Sequence, residues 1–591
     1  MSKILIGNNK EKVSLLKNHF EKYGFNQYSE FETSKCKIYA FKKLKVSNNN
    51  FATIGNDFVA TSGTVIYNNK TGKPAMEMLY DDISKGINYI KENAVGNYCV
   101  AIKKDDCITI FTDKNAIYNI YYYNQNNDFL ITNTFYHLAK TIDNLSINQT
   151  EILEYAFQYA ILDNKTIFKD IYKLMGDEYL EIDLNIDALF FKKISLEKYQ
   201  AKEEIPTPEQ IAKKFAKETM TINSSFKKIT IGTTGGLDSR IILAAFLNKG
   251  IKPQIIYGVG DSILTNTKNK DLEINKIYAE KFGLKLHEMN WKTNEPINEY
   301  WNYSLEKYGE LFLVYAGNKN VFTEFETNVE ADYITFGYYG ELMRSFEWID
   351  SIKKEYLTVN EFVNAYCDKN AINDILFDND ELDELKETIL NKYIDICTSE
   401  GIDMQKIHRN QLTRLYFFYA KNASTVLCNL CNCYGYSSMI FFENDLLSDI
   451  LNIPYGDKKN AKYMLSIMNI LYPEILNVPI FSHGKEQLFN PKTLELSSAV
   501  NHHERLKIKL KKYLNHKKSL KILKKIYKIF KHNDEKTNLE IEQNNMLKNY
   551  FIHYLKSSNE NNLKFDNYNF DVRPLAKYTQ LIFMIEKLKD L

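Results

Sequence analysis

Residues 228–250 read KITIGTTGGLDSRIILAAFLNKG, the stretch best equipped for chemistry. A β-branched run, 229–233, turns through Thr234, Gly235 and Gly236 into an apolar helix from Asp238 to Leu247. Gly250 suits the helix stop. Two adjacent glycines let backbone pass close to a ligand, because no Cβ intervenes. The N–H groups of the turn and of the first helical residues then face outward and favour an anion, phosphate above all. Thr234 and Ser239 add hydroxyl donors. Asp238 would repel a bare phosphate but suits one that carries Mg²⁺. Thr233, Thr234, Gly235, Gly236, Leu237, Asp238 and Ser239 are therefore the predicted phosphate-facing set. The spacing is not GxxxxGK[ST], so a Walker loop is excluded.

Such a turn needs a rigid sheet behind it. The run 253–259 (PQIIYGV) reads as a second buried strand, 271–282 as a helix and 285–290 as a third strand. That alternation predicts a parallel, doubly wound sheet, whose ligands sit at the carboxyl ends of the strands. Gly232, Thr233, Gly258 and Val259 fall on that rim. A fourth strand, 332–336, runs into GYYGELMRSF, in which Arg344 could face a phosphate or a substrate carboxylate.

The first 200 residues read differently. Short strands are expected at 58–67, 98–103, 107–113, 117–123 and 129–134, with helices at 77–93 and 149–160. This pattern suggests an α+β domain with stacked sheets. Pro206 and Pro208 mark a linker over 201–210, followed by a helix over 209–220. Two domains are expected, 1–200 and 205–591. The formal charge of +1 leaves no global sign of nucleic acid. No apolar run approaches the roughly 18 residues of a spanning helix. The N-terminus lacks a signal-peptide core. Eight scattered cysteines fit a reducing cytoplasm.

TTGGLDSR resembles the S-G-G-x-D-S pyrophosphate loop of N-type ATP pyrophosphatases, in the form used by the asparagine-synthetase-like family, with Thr234 in the first Ser position. The resemblance runs from about residue 96 to residue 486. GNYCVAIKKDDCITIFTDKNAIYNIYYYN and TIFKDIYKLMGDEYLEIDL are similar to segments of that family's N-terminal-nucleophile (Ntn) glutaminase domain, an α/β sandwich. Several implications follow from the likeness. ATP and Mg²⁺ would be the cofactors, with adenine lying against main chain at the two strand ends. GYYGELMRSF would be a second glycine loop, with Gly337 as its first glycine, Tyr339 replacing the second, and Glu341 in the place of the second metal-binding Asp. Asp238 and Glu341 would hold the metal. Lys485, in FSHGKEQL, stands where the family's active-site lysine falls, although the preceding Arg is missing. SSMIFFENDLLSDILNIP is similar to a further family segment but carries Ser438, Ile440 and Glu443 where the family has Arg, Pro and Asp. The glutaminase nucleophile is a cysteine after the initiator Met, and this chain has Ser2. A hydroxyl is a far weaker nucleophile than a thiolate, so the domain is expected to keep the fold and to lack glutaminase activity.

Two features lie outside this pattern. Cys428, Cys431 and Cys433 in CNLCNC are close enough for a metal but lack a fourth ligand at usual spacing, and buried free cysteines are common in helices. Residues 502–532 hold eleven lysines and Arg505 against the single acid Glu504, with apolar residues at near-helical spacing. That basic amphipathic stretch suits an acidic partner or a membrane surface, or simply packs one face on the domain.

The expected function is ATP-dependent amide formation through an acyl-adenylate of a small-molecule or peptide carboxylate, releasing AMP and pyrophosphate. Ammonia or a substrate amine would be the nucleophile. An intramolecular amine would make the enzyme a lactam or macrolactam cyclase. The rival from another class is a nucleotide-binding scaffold without turnover, and a tRNA-modifying pyrophosphatase is a third reading.

Overall fold

The computed structural model describes residues 2–33, 36–46, 49–186, 188–196, 204–259, 269–291, 297–310, 319–368, 379–423, 425–482, 485–498 and 572–589. The basic stretch 502–532 and the first three residues of the linker, 201–203, lie outside the described residues. The chain is a mixed α/β protein with several sheets, one of them parallel, and many helices.

Two six-stranded antiparallel sheets account for most of residues 4–193. Period-two alternation explains how they pack. In Tyr98–Lys104, Cys99 and Ala101 face the main core shared with the other sheet, whereas Val100 and Ile102 face Met76, Leu79 and Ile90 of the covering helices. The Phe31 and Phe58 rings, 4.8 Å apart, join the two sheets.

Several predicted elements break where the backbone demands it. The expected strand 58–67 divides into Asp57–Gly63 and Ile66–Tyr67 at Gly63, whose φ is +87°. The expected helix 77–93 becomes Lys73–Asp82 and Ile87–Asn93, parted by Gly86 at φ +101°. The strand expected at 117–123 starts at Tyr121 instead, because the preceding loop wraps the Asp113 carboxylate, which accepts from the amides of Ile117 and Tyr118. Pro208 does not break the following helix. It opens Pro208–Ser225 at the first position, behind a Thr207–Gln210 capping box.

The parallel sheet has four strands, in the order Leu286–Asn290, Gln254–Val259, Ile229–Gly232, Tyr333–Phe336. Asp238–Asn248 follows the third of these and is buried along nearly its whole length. The helix Thr425–Tyr434 docks on the N-terminal sheets, where Leu44 N–H donates to the Cys433 carbonyl at 2.6 Å. Among the described residues, no helix is long and apolar enough to cross a membrane.

Candidate active site

The turn 233–237 is shaped by its own polar groups. Thr234 N–H donates to Ser239 Oγ at 3.0 Å, and Gly236 N–H to Thr234 Oγ1 at 3.2 Å. Gly235 N–H donates to Asp271 Oδ1 at 2.8 Å. A Cβ on Gly235 would lie 2.6 Å from Ile274 Cδ1 and 2.8 Å from Asp271 Oδ1, so a larger residue would have to push both side chains aside and break the bond to Asp271. Thr233 is buried, with its hydroxyl on Asn275 Oδ1 and its N–H on the Ile256 carbonyl at 3.2 Å. Thr234 is exposed and Gly236 half-buried. The turn thus presents Thr234, Gly236 and the start of the helix outward, while Thr233, Gly235 and Leu237 anchor it.

Arg240 fixes that conformation from below. It is fully buried, and its guanidinium donates to the carbonyls of Gly235 (3.1 Å), Ile475 (3.2 Å), Val478 (2.6 Å) and Pro479 (2.7 Å). Its charge also lies over the Tyr278 ring, 5.2 Å from the centroid. Burial lowers its pKa. Phe481 N–H reaches the same Gly235 carbonyl at 2.9 Å. One turn carbonyl therefore gathers Arg240 and the hairpin Ile480–Ser482/Lys485–Asn490. Lys485 pairs with Ser482 at the start of the second strand, which sets its backbone beside the turn; its side chain lies outside the described residues.

The second loop closes on the first. A Cβ on Gly337 would come within 2.5 Å of the Asp238 carbonyl carbon, and one on Gly340 within 2.6 Å of Asp238 Cβ. Between them Tyr339 takes the left-handed conformation, φ +66° and ψ +13°, that glycine accepts without cost. Its ring is buried against Phe442, with centroids 4.6 Å apart. Arg344 Nη2 then donates to Asp238 Oδ2 at 2.6 Å. Glu341 is half-buried in the short helix Gly340–Met343. Burial first, and then the Glu341 carboxylate, push the phenols of Tyr416 and Tyr419 up.

The rim residues are covered by rings. A Cβ on Gly258 would meet the Trp291 indole at 2.5 Å, and Gly232 lies directly under the Phe336 ring. Val259 accepts from Trp291 N–H at 2.8 Å. The structure thus brings residues 233–239 together with Gly337 and Arg344, puts Glu341 on the same second loop, and sets Gly258 and Val259 one strand away beside Trp291. Sequence reasoning missed Arg240, Asp271, Asn275, Trp291 and Gly340. Arg240 carried a signal, a lone cation in an apolar helix; the others carried none.

Asp238, at the start of the helix, is the group whose chemistry suits a Mg²⁺-bound phosphate. The amides of Thr234, Gly235 and Gly236 already donate within the protein, to Ser239 Oγ, Asp271 Oδ1 and Thr234 Oγ1, so a phosphate would have to displace these acceptors; Asp238 places a hard carboxylate beside the helix N-terminus, paired with Arg344. Among the described residues, no group of three His, Cys, Asp or Glu side chains could hold a metal ion. Cys428, Cys431 and Cys433 are buried in one helix, and burial raises the Cys428 and Cys431 thiols.

Ser2 lies elsewhere and is fully buried. Its Oγ accepts from Gly63 N–H at 3.1 Å and sits 3.0 Å from Ser62 Oγ. Its carbonyl accepts from Tyr118 Oη (2.9 Å) and Asn133 Nδ2 (3.1 Å). Its N–H donates to the Asn432 carbonyl at 2.9 Å, so the helix Thr425–Tyr434 seals this corner.

No protein-family model matches the chain, and no curated protein does. Among solved structures, it is similar to the glutamine phosphoribosylpyrophosphate amidotransferase from B. subtilis complexed with ADP and GMP, at 8% identity and a TM-score of 0.23, over 49% of this chain and 65% of that one. It is also similar to an allosteric regulatory enzyme of purine biosynthesis (8% identity, TM-score 0.20, 48% and 64%) and to NMN synthetase from Francisella tularensis (12%, 0.15, 36% and 93%). The chain spans just under two thirds of the length of the first two. All three likenesses are remote.

Proposed function

We propose that the chain is an asparagine-synthetase-like ligase that forms an amide from a carboxylate and an amine at the expense of ATP. The observation that carries this reading is the closure of two glycine loops on one carboxylate, with Gly337 and Gly340 packed against Asp238. The same closure ties Glu341, on the second loop, to the first.

In this reading residues 234–239 hold the phosphates through amides, hydroxyls and the helix N-terminus. Asp238 and Glu341 hold Mg²⁺, which neutralises phosphate charge when bound. Arg344, released from Asp238, and Lys485 steady the anions. A substrate carboxylate oxygen bonds to the α-phosphorus while the bond to pyrophosphate breaks. The amine nitrogen then bonds to the acyl carbon, AMP departs with the electron pair of the C–O bond, and the amine loses a proton. Positioning and charge neutralisation supply the acceleration. The sealed Ser2 supports ammonia or a substrate amine, rather than glutamine, as the nitrogen source. If that amine lies on the carboxylate substrate itself, the product is a lactam or macrolactam.

One observation favours a second reading. Arg344 already neutralises Asp238, as suits a scaffold that holds nucleotide without turning it over. ATP–pyrophosphate exchange, with panels of amino and hydroxy acids, separates the two. The enzyme reading expects acid-dependent exchange that vanishes in Asp238→Ala while the circular dichroism is unchanged. Exchange that persists in Asp238→Ala removes the metal role. Nucleotide binding without exchange for any acid supports the scaffold.

A further inference from the structure

A second site lies apart from the two loops. A cavity of ≈ 130 Å³, open to solvent on one side, includes no residue of the turn, the second loop or the 480–490 hairpin. Strand residues Tyr121 and Lys173, the end of the helix Gln149–Gln158, Asn422, Ala423, Thr425 and Leu427, and the C-terminal helix Val572–Lys589 enclose it. Phe135, Tyr155, Ile161, Leu427, Leu581 and Met584 give it an apolar body.

Its polar lining is buried and incompletely matched. Glu310, Asn119 and Lys173 line the cavity and are 6%, 3% and 8% exposed. Glu310 Oε1 and Asn119 Oδ1 are both buried with no donor at hydrogen-bond distance, while the Glu310 carboxyl as a whole also faces the Phe135 backbone and the side chains of Asn119 and Tyr121. The opposite ends of the network are occupied: Asn119 Nδ2 donates to Thr425 Oγ1 at 3.3 Å, and Lys173 Nζ to Asn422 Oδ1 at 3.0 Å. A buried acceptor left without a donor is destabilising, and two of them line this one cavity. They call for a donor-rich head group, while the Lys173 ammonium calls for an anion. The rest of the wall calls for hydrocarbon.

We propose that this cavity binds a small apolar α-amino acid, with its ammonium on Glu310 and Asn119, its carboxylate towards Lys173, and its side chain along Phe135, Leu581 and Met584. Burial supports this assignment from the other direction. It pushes the Glu310 carboxyl up to about 8, against the pull of Lys3 and Lys173, and the Lys173 ammonium down to about 8. A zwitterion presents each of these groups with its opposite charge and so favours the ionised form of both. The site is independent of the nucleotide reading, since the two share no residue.

Calorimetric titration of the full chain tests it, with L-phenylalanine, L-leucine, 2-phenylethylamine and 3-phenylpropionate as probes. The amino acids should bind, and loss of either charged group should weaken binding about tenfold or more, the worth of one charge-assisted hydrogen bond. Glu310→Gln should weaken L-phenylalanine about as much. Leu581→Trp, which fills the cavity, should abolish binding with the thermal midpoint retained, and Asp238→Ala should bind as the unmodified chain does. If Glu310→Gln does not fold, Lys173→Met makes the same comparison. Absence of binding by all four probes overturns the proposal. So does 3-phenylpropionate binding as tightly as L-phenylalanine, or an affinity unchanged by Leu581→Trp.

Discussion

Arg344 and Asp238 tie the two loops together: Nη2 of the residue that follows the second loop lies 2.6 Å from Oδ2 of the residue that opens the helix after the first. An arginine in that place competes with any cation for the carboxylate. A partly exposed pair of this kind is worth on the order of 1 kcal/mol. Arg344→Gln should therefore lower the Mg²⁺ concentration for half-maximal ATP binding by about fivefold, while ATP affinity at saturating Mg²⁺ falls because the freed guanidinium no longer faces the phosphates. Mg²⁺ titration at fixed nucleotide measures it. An unchanged or higher requirement means that the arginine does not restrain Asp238.

Gly337 and Gly250 make a paired test of loop closure. A Cβ at Gly337 meets backbone of the Asp238–Ser239 peptide, which cannot move without moving the helix start. Gly250 has open space around its would-be Cβ, although its φ is +71°. Gly337→Ala should cost about 1–3 kcal/mol by overpacking and abolish nucleotide binding. Gly250→Ala should cost about 1 kcal/mol and leave binding intact. Urea unfolding with nucleotide titration separates them; equal nucleotide affinity in both variants contradicts the closure.

Arg240 is the arginine of GGLDSR, and its four carbonyl partners join the turn to residues 475–479. Arg240→Met takes the guanidinium from all four, leaving the Val478 and Pro479 carbonyls without their donor while Gly235 keeps Phe481 N–H and Ile475 keeps Val478 N–H. The loss should reach about 3 kcal/mol or more in urea unfolding. Because Gly235 is among them, pyrophosphate exchange should fall even at temperatures where the variant is folded. A variant as stable as the parent would show that water or backbone takes over all four bonds.

The strand–turn–helix was legible because local chemistry decides it. Gly235 and Gly236 mark the turn, β-branched residues the strand, and the apolar run the helix, so Asp238–Asn248 was placed to within a residue at its end. The parallel sheet was legible for the same reason. What stayed hidden depends on residues distant in sequence. Asp271 reaches back to Gly235, Trp291 covers Gly258, and Asn432 seals Ser2; no periodicity encodes such pairings. The positive-φ breaks at Gly63 and Gly86 were hidden too, since periodicity runs through a glycine unless the turn it permits is used.

Ser2 has its hydroxyl on Gly63 N–H and its own N–H on the Asn432 carbonyl. Its burial, more than its weak nucleophilicity, closes the corner to a substrate. Ser2→Cys should therefore release no more glutamate from glutamine than the parent does. Ser2→Ala should leave amine-dependent turnover unchanged, at a cost of about 1 kcal/mol for the lost hydrogen bond. Glutamate release by Ser2→Cys clearly above the parent's would show that the helix Thr425–Tyr434 opens in solution.

Lys458 is fully buried, its Nζ has no hydrogen-bond partner, and its carbonyl accepts from Ser345 N–H at 3.1 Å, one residue beyond Arg344. Burial pushes its ammonium down to about 7 from 10.5. The sign of the linkage follows. Between pH 7 and 10.5 the unfolded chain holds this proton and the folded chain does not, so this residue makes stability rise with pH across that window. Below pH 7 both states are protonated, and the folded state carries the full cost of a buried charge. Lys458→Met removes that cost and should stabilise the fold by about 1–4 kcal/mol. The gain should be largest at pH 7 and below and should fade towards pH 10.5. Urea midpoints at pH 6.5, 8 and 9.5, values chosen around that window, measure it. A gain that is flat with pH would reflect methionine packing alone, and a loss would mean that Nζ has found a partner that stabilises it.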